Sequence, residues 1–202
     1  MQCSLFWRLN MDILNTIKGR RSTHSFKMEE VNPDILKQIF TYGSYAPTHY
    51  MTEAWQIKLY QSQGRKRLIN AIIASYQRIG MIKDNDDPKT LRMIESMKDF
   101  LMKIPHHALI YFEKNNDPIR YEEEYASVAA FIQNAQLAAW EYGVGMLWTI
   151  TAYMHDPEFM AEIGLNSDTD KIAAVLQIGY PHKVSRDKGR SPIEQKLQII
   201  EE

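Results

Sequence analysis

Arg20-Arg21-Ser22-Thr23-His24, echoed one helix later by Ala46-Pro47-Thr48-His49 and by Trp55, is the stretch on which the reading of this chain turns. Two guanidiniums, a hydroxyl and an imidazole sit together just after a helix-like segment. Arginine forks match phosphate oxygens in a bidentate way, and serine adds a neutral donor. The inventory suits a phosphate and the polar edge of an aromatic ring. A nearby cation also steadies negative charge on a reduced ring. The plain alternative is a solvated basic turn.

The surrounding pattern alternates helix and strand. Ile13, Leu14 and Ile17 fall at helical spacing within 11–19, and Gly19 ends that pattern. Asn32-Pro33 reads as an N-cap followed by proline at the first helical position, with Ile35, Leu36, Ile39 and Phe40 as the apolar face. Pro47 closes that region. Residues 55–60 alternate as a strand does. Residues 64–79 and 89–102 read as helices, separated by an acidic, proline-ended break at 84–88. His106–Phe112 reads as a buried strand. The longest helix is expected over 120–142, with Tyr125, Val128, Ala129, Ile132, Ala135, Gln136 and Ala139 facing inward. Gly143-Val144-Gly145 breaks it before a strand at 146–150. A short helix at 156–163, a strand at 171–178 and a polar tail from His182 complete the chain. Few strands among long helices give an α+β class, with helices packed on a small central sheet. Residues 11–202 are expected to form one domain, and residues 1–10 a loosely attached extension.

Composition sets the outer bounds. The 202 residues are 45% hydrophobic, enough for a real core. Formal net charge is -1, from 24 basic and 25 acidic residues, which argues against nucleic acid as a partner. The single cysteine, Cys3, excludes an intrachain disulfide and fits the cytoplasm. No apolar run approaches the ~20 residues of a membrane helix. His106-His107 does not read as a metal site, because neighbours on a strand point to opposite faces. Asp84–Asp87 lacks the glycine and terminal glutamate of a calcium loop. Gly143-x-Gly145 is too short for a dinucleotide fingerprint. Glu122-Glu123-Glu124 reads as the acidic first turn of the long helix.

Taken in order, the motifs resemble those of the nitroreductase family. Arg20-Arg21-Ser22-Thr23-His24-Ser25-Phe26 is similar to its Arg-Arg-Ser-x-Arg/Lys-x-Phe start. Ala46-Pro47-Thr48-His49-Tyr50-Met51-Thr52-Glu53-Ala54-Trp55 is similar to its Ala-Pro-Ser-x-x-Asn-x-Gln-Pro-Trp motif. Gln133–Ala139 with Gly143–Trp148 resembles its central helix and next strand, and Gly179-Tyr180-Pro181 with Lys188-Gly189-Arg190-Ser191-Pro192 its C-terminal pattern.

The resemblance implies a nitroreductase-like fold: a central, mostly antiparallel sheet wrapped by helices, in an intertwined homodimer whose C-terminal arms cross over. It implies FMN at the subunit interface, NADH or NADPH as donor, hydride passage through flavin N5, and a nitroaromatic, quinone or related small aromatic acceptor in a ping-pong cycle. The flavin carries the chemistry, so no side chain is assigned a catalytic role. Arg20, Arg21 and Ser22 are implied to hold the phosphate and the ribityl or pyrimidine edge. His24 stands where the family has a cation near N1 and O2. His49 would approach from the partner subunit. Trp148, Thr149 and Ile150 pass the ring, and Arg190, with Lys188, closes on the phosphate. Met51 occupies the position of the family's Asn, Glu53 that of its Gln, and Ala54 that of its Pro. Met51 lacks the amide expected to bond the ring, and Glu53 adds a charge. These departures leave open a flavin- or small-molecule-binding protein without useful turnover, and a flavin enzyme of other chemistry such as desaturation or dehalogenation.

Overall fold

The structure, a computed structural model, describes residues 13–83 and 86–201. The extension expected at 1–10, Asp84 and Asn85 of the expected acidic break, and Glu202 lie outside the described residues. Among the described residues four strands form one antiparallel sheet, β1 (Gln56–Gln61), β2 (His106–Glu113), β3 (Gly145–Thr149) and β4 (Asp170–Gly179), ordered β1-β2-β4-β3. The helices among the described residues are α1 (Ile13–Gly19), α2 (Pro33–Gly43), α3 (Gly64–Arg78), α4 (Pro88–Met102), α5 (Pro118–Glu141) and α6 (Pro157–Glu162). None is long and apolar enough to cross a membrane.

Four helices begin at an Asx-Pro pair. Asn32, Asp87, Asp117 and Asp156 each accept a hydrogen bond from a first-turn amide, and proline follows at the first helical position. The side-chain oxygen satisfies a donor that the helix leaves open, while proline has no amide hydrogen to satisfy there. Asp117-Pro118 therefore starts α5 two residues before the expected position.

Both central strands are covered on both faces. Ala108, Ile110 and Phe112 of β2 join α5 and α2 in one core, with Phe131, Ile132, Leu36 and Ile39. Leu109 faces the other way, into Leu68, Ile72, Phe159 and Met160 from α3 and α6. The register slips between Ile110 and Tyr111, and Ala173 and Ala174 of β4 consequently both enter the α5 side.

The apolar residues of α1 do not join these cores. Ile13, Leu14 and Ile17 are 52–60% exposed, whereas Thr16 is buried and bonds the Glu141 carboxylate at the end of α5. Helical spacing identifies a stripe that needs a cover, not where the cover comes from. The tail likewise stays outside: Ile193, Leu197, Ile199 and Ile200 are all exposed.

Candidate functional site

The basic motif runs as extended chain beside β3. Thr23 N–H donates to Met146 O at 3.0 Å, and Ser22 bridges Met146 in parallel. Farther along, Lys27 N–H donates to Tyr180 O at 2.8 Å and His182 N–H to Ser25 O at 2.9 Å. Thr23 is buried against Gly145, while its neighbours Ser22 and His24 are exposed. This is strand alternation: anchoring one side chain presents the flanking two to solvent.

The C-terminal tail returns to the same place. Ser185 Oγ donates to Ser22 O at 3.0 Å, and Arg21 pairs with Asp187 at 2.8 Å. Burial lowers the pKa of Arg20, and the charges of Arg190 and then Arg21 lower it further. These guanidiniums are thus close enough to repel. Among the described residues, neither Arg20 nor Arg190 has a carboxylate partner. Arg190 also lines a groove of about 580 Å³, together with Lys188, Gly189, Ser191, Ile193 and Lys196. Uncompensated cations next to open volume are able to take an anion.

The second motif is a 3-10 turn, His49–Met51, with unusual backbone. Tyr50, Met51 and Glu53 have φ of 49°, 55° and 44°. A long side chain at such angles is strained by about 1 kcal/mol, while asparagine adopts them readily. Restoring the family's residue with Met51→Asn is therefore expected to stabilise the protein by about 0.5–1 kcal/mol. Urea denaturation checks this; a less stable variant would mean the thioether makes a contact that outweighs the strain. The His49 ring stands edge-on to Tyr50 with centroids 4.1 Å apart, and its Nε2 lies 3.9 Å from Glu123 Oε2. Arg120 sits over the Tyr50 ring at 5.3 Å.

At the end of β3, Thr149 Oγ1 donates to Val175 O at 2.7 Å, and Ile150 is exposed. Trp148 packs on the α5-side core, but its indole Nε1 is buried with no hydrogen-bond partner among the described residues. Thr151 Oγ1 nearby accepts from the Met154 amide in a capping box. An unpaired buried polar atom costs about 1–3 kcal/mol, so the Trp148 indole marks a place where packing was not the sole constraint. His106 and His107 diverge as a strand requires: His106 Nε2 accepts from Val31 N–H, and His107 Nε2 donates to Leu101 O.

The structure thus brings Arg20, Arg21, Ser22 and Arg190 together, with Lys188 on the adjoining groove and His24 on the same extended segment. It does not bring His49 or Met51 to them. Gly19 abuts Trp140 near one end of α5, whereas His49 and Tyr50 sit on Arg120 and Glu123 near the other. At 1.5 Å per residue, the 17 steps from Glu123 to Trp140 span about 25 Å. Asp187 and Ser185 take part in the site without having been singled out from sequence. The available signal was Asp187-x-Gly189, an aspartate placed to cap a left-handed glycine turn.

Residues 17–180 match the nitroreductase family. YfhC of Bacillus subtilis, a candidate NAD(P)H nitroreductase by name, is 31% identical over 182 residues, 90% of each chain. A nitroreductase-like family protein from Bacillus cereus superposes with a TM-score of 0.86 at 32% identity, covering 96% of this chain and 98% of its own. The FMN-dependent nitroreductase NfnB of Mycobacterium smegmatis, solved with NADPH, shares the fold at a TM-score of 0.70 and 18% identity, covering 93% and 97%.

Proposed function

The chain belongs to the nitroreductase family of oxidoreductases, and from that premise we propose that it binds FMN between two copies of itself and serves electron transfer from NAD(P)H to a small nitroaromatic, quinone or related acceptor. The observation that carries the reading is the return of the C-terminal tail to the Arg20–Ser22 segment, with Ser185 on Ser22 O and Asp187 on Arg21, which brings the charge of Arg190 to bear on Arg20 with no carboxylate partner for either among the described residues. A nucleotide phosphate, carrying about -1.5 to -2 charges, relieves that repulsion and accepts from both forks. The exposed Ser22 hydroxyl supplies a further donor, and Lys188 adds charge from the arm. The residues present therefore fit the group. FMN, when bound, supplies the two-electron chemistry. The chain's part is to hold the phosphate, present His24 beside the ring edge and pass Trp148–Ile150 along it.

The two-copy reading has a geometric ground. With about 25 Å of α5 between the two motifs, one ligand does not span both within a single chain. His49 and Met51 of the partner subunit complete the site in this reading. The exposed apolar faces of α1 and of the tail, Ile13 and Ile17 with Leu197, Ile199 and Ile200, are what a crossing arm would cover.

Titration of the purified protein with FMN, followed by flavin fluorescence, tests the proposal. Saturable uptake of one FMN per chain is expected, and a protein that takes up none overturns it. Arg20→Ala should weaken the affinity by about 1.5–3 kcal/mol, roughly 10- to 150-fold, as loss of a charge-assisted bond. Light scattering should show a dimer. NADH or NADPH oxidation with menadione and with nitrofurazone then identifies the acceptor class.

A further inference from the structure

We infer that Arg21 is a positioning residue, a latch that fixes the C-terminal arm so that Arg190 meets Arg20; this rests on the FMN reading above. The two adjacent arginines look equivalent in sequence, but their surroundings differ. The Arg21 guanidinium is already engaged by the protein. Its Nη1 donates to Lys18 O and to Arg20 O, the latter at 2.9 Å, which caps the open carbonyls at the end of α1. Its Nη2 pairs with Asp187 Oδ2 at 2.8 Å. The Arg21 side chain is only 18% exposed, which leaves little of it to meet a ligand.

Asp187 passes the constraint on. Its other oxygen, Oδ1, accepts from Gly189 N–H at 3.1 Å. Gly189 has φ of 69°, a left-handed turn that the carboxylate braces and that glycine adopts without strain. Arg190 is the next residue, and its Nη1 donates to Gly189 O at 2.7 Å. A continuous line of bonds therefore runs from α1 through Arg21, Asp187 and Gly189 to Arg190, whose charge acts on Arg20. Ser185 on Ser22 O gives the arm a second attachment just upstream.

The sign of one substitution separates this role from simple proximity. A carboxylate near a phosphate site repels the phosphate, so if Asp187 were merely a nearby charge, Asp187→Asn would tighten FMN binding. If Asp187 is half of the latch, Asp187→Asn weakens it, by about three- to fivefold as expected for a partly exposed ion pair. Arg21→Gln should give a similar loss. The double variant Arg21→Gln/Asp187→Asn should bind no worse than either single variant, because both break the same bond. An additive double variant, or a loss beyond tenfold confined to Arg21→Gln, would make Arg21 a phosphate ligand and overturn the inference.

A second measurement needs no flavin. Hydrogen exchange at the Gly189 and Arg190 amides of the flavin-free protein should accelerate in both single variants, while exchange in β4 stays unchanged. Unaltered exchange in the arm would overturn the latch. If the wild-type protein takes up no FMN, the functional reading fails, and the exchange experiment still decides whether the latch exists.

Discussion

Gly145→Ala is expected to destabilise the protein by about 3 kcal/mol, at the upper end for overpacking, and to abolish tight FMN binding. A Cβ at this position would lie 2.2 Å from Thr23 Oγ1, 2.8 Å from its Cβ and 2.9 Å from its Cγ2. Thr23 is 2% exposed and its N–H bonds Met146 O, so it has no free direction in which to retreat. The clash is relieved only by lifting the whole Arg20–Phe26 segment off β3. That movement carries Arg20 and Ser22 away from the returning arm, so stability and cofactor affinity should fall together. Thr23→Gly removes every atom that the new methyl meets, and the pair Gly145→Ala/Thr23→Gly should therefore recover part of the stability lost in Gly145→Ala. Urea denaturation and FMN titration of the three variants check this. Wild-type behaviour of Gly145→Ala would show that the segment does not need this close approach.

The close approach also explains what sequence could and could not disclose. Asn32-Pro33 announces a helix start because the cap and the imino ring act locally, within one turn; Asp117-Pro118 carries the same signal, and α5 starts there rather than at the expected residue 120. His106–Phe112 and Lys171–Ile178 read as strands because both of their faces are buried, leaving a continuous apolar run. The order of the motifs identified the family. The facts that define the site are of another kind. Gly145 reads as a helix breaker, yet its tightest constraint comes from Thr23, far away along the chain. Arg20 and Arg21 have the same chemistry, and only the returning Asp187 gives them different tasks. The helical stripe of Ile13, Leu14 and Ile17 promises a buried face, yet it faces outward, because periodicity reports amphipathicity and not the identity of the covering surface. The second motif reads as a departure in hydrogen bonding at Met51. Its left-handed backbone shows that asparagine would have suited the position on conformational grounds as well.

Acidification from pH 7 to 4.5 should remove about 2.5 kcal/mol of stability through His107 alone. Burial lowers the pKa of His107 to about 4; the Leu101 carbonyl opposes that shift, and Arg65 and His106 reinforce it. In the unfolded chain the same ring titrates near 6.5. Between these values the unfolded state binds a proton that the folded state refuses, so stability is intact above about pH 6.5 and falls as the pH drops towards 4. His106 acts in the same direction. Burial lowers its pKa, Glu30 partly restores it and Arg65 lowers it again. Its Nε2 accepts from Val31 N–H, so a proton placed there would face a donor, while Nδ1 is buried without a partner among the described residues. The carboxylate of Asp156 is held below its ordinary range: burial opposes ionisation, but bonds from Ser75, Arg78 and the Glu158 amide outweigh it. Its contribution is lost only at still lower pH and does not overlap this window. His107→Gln keeps a donor for the Leu101 carbonyl and removes the titration. It should therefore flatten the stability profile between pH 7 and 4.5, even if its stability at pH 7 is somewhat lower. Parallel profiles for the variant and the wild-type protein would mean that the ring is protonated in the fold, and that Leu101 O and its surroundings stabilise an imidazolium.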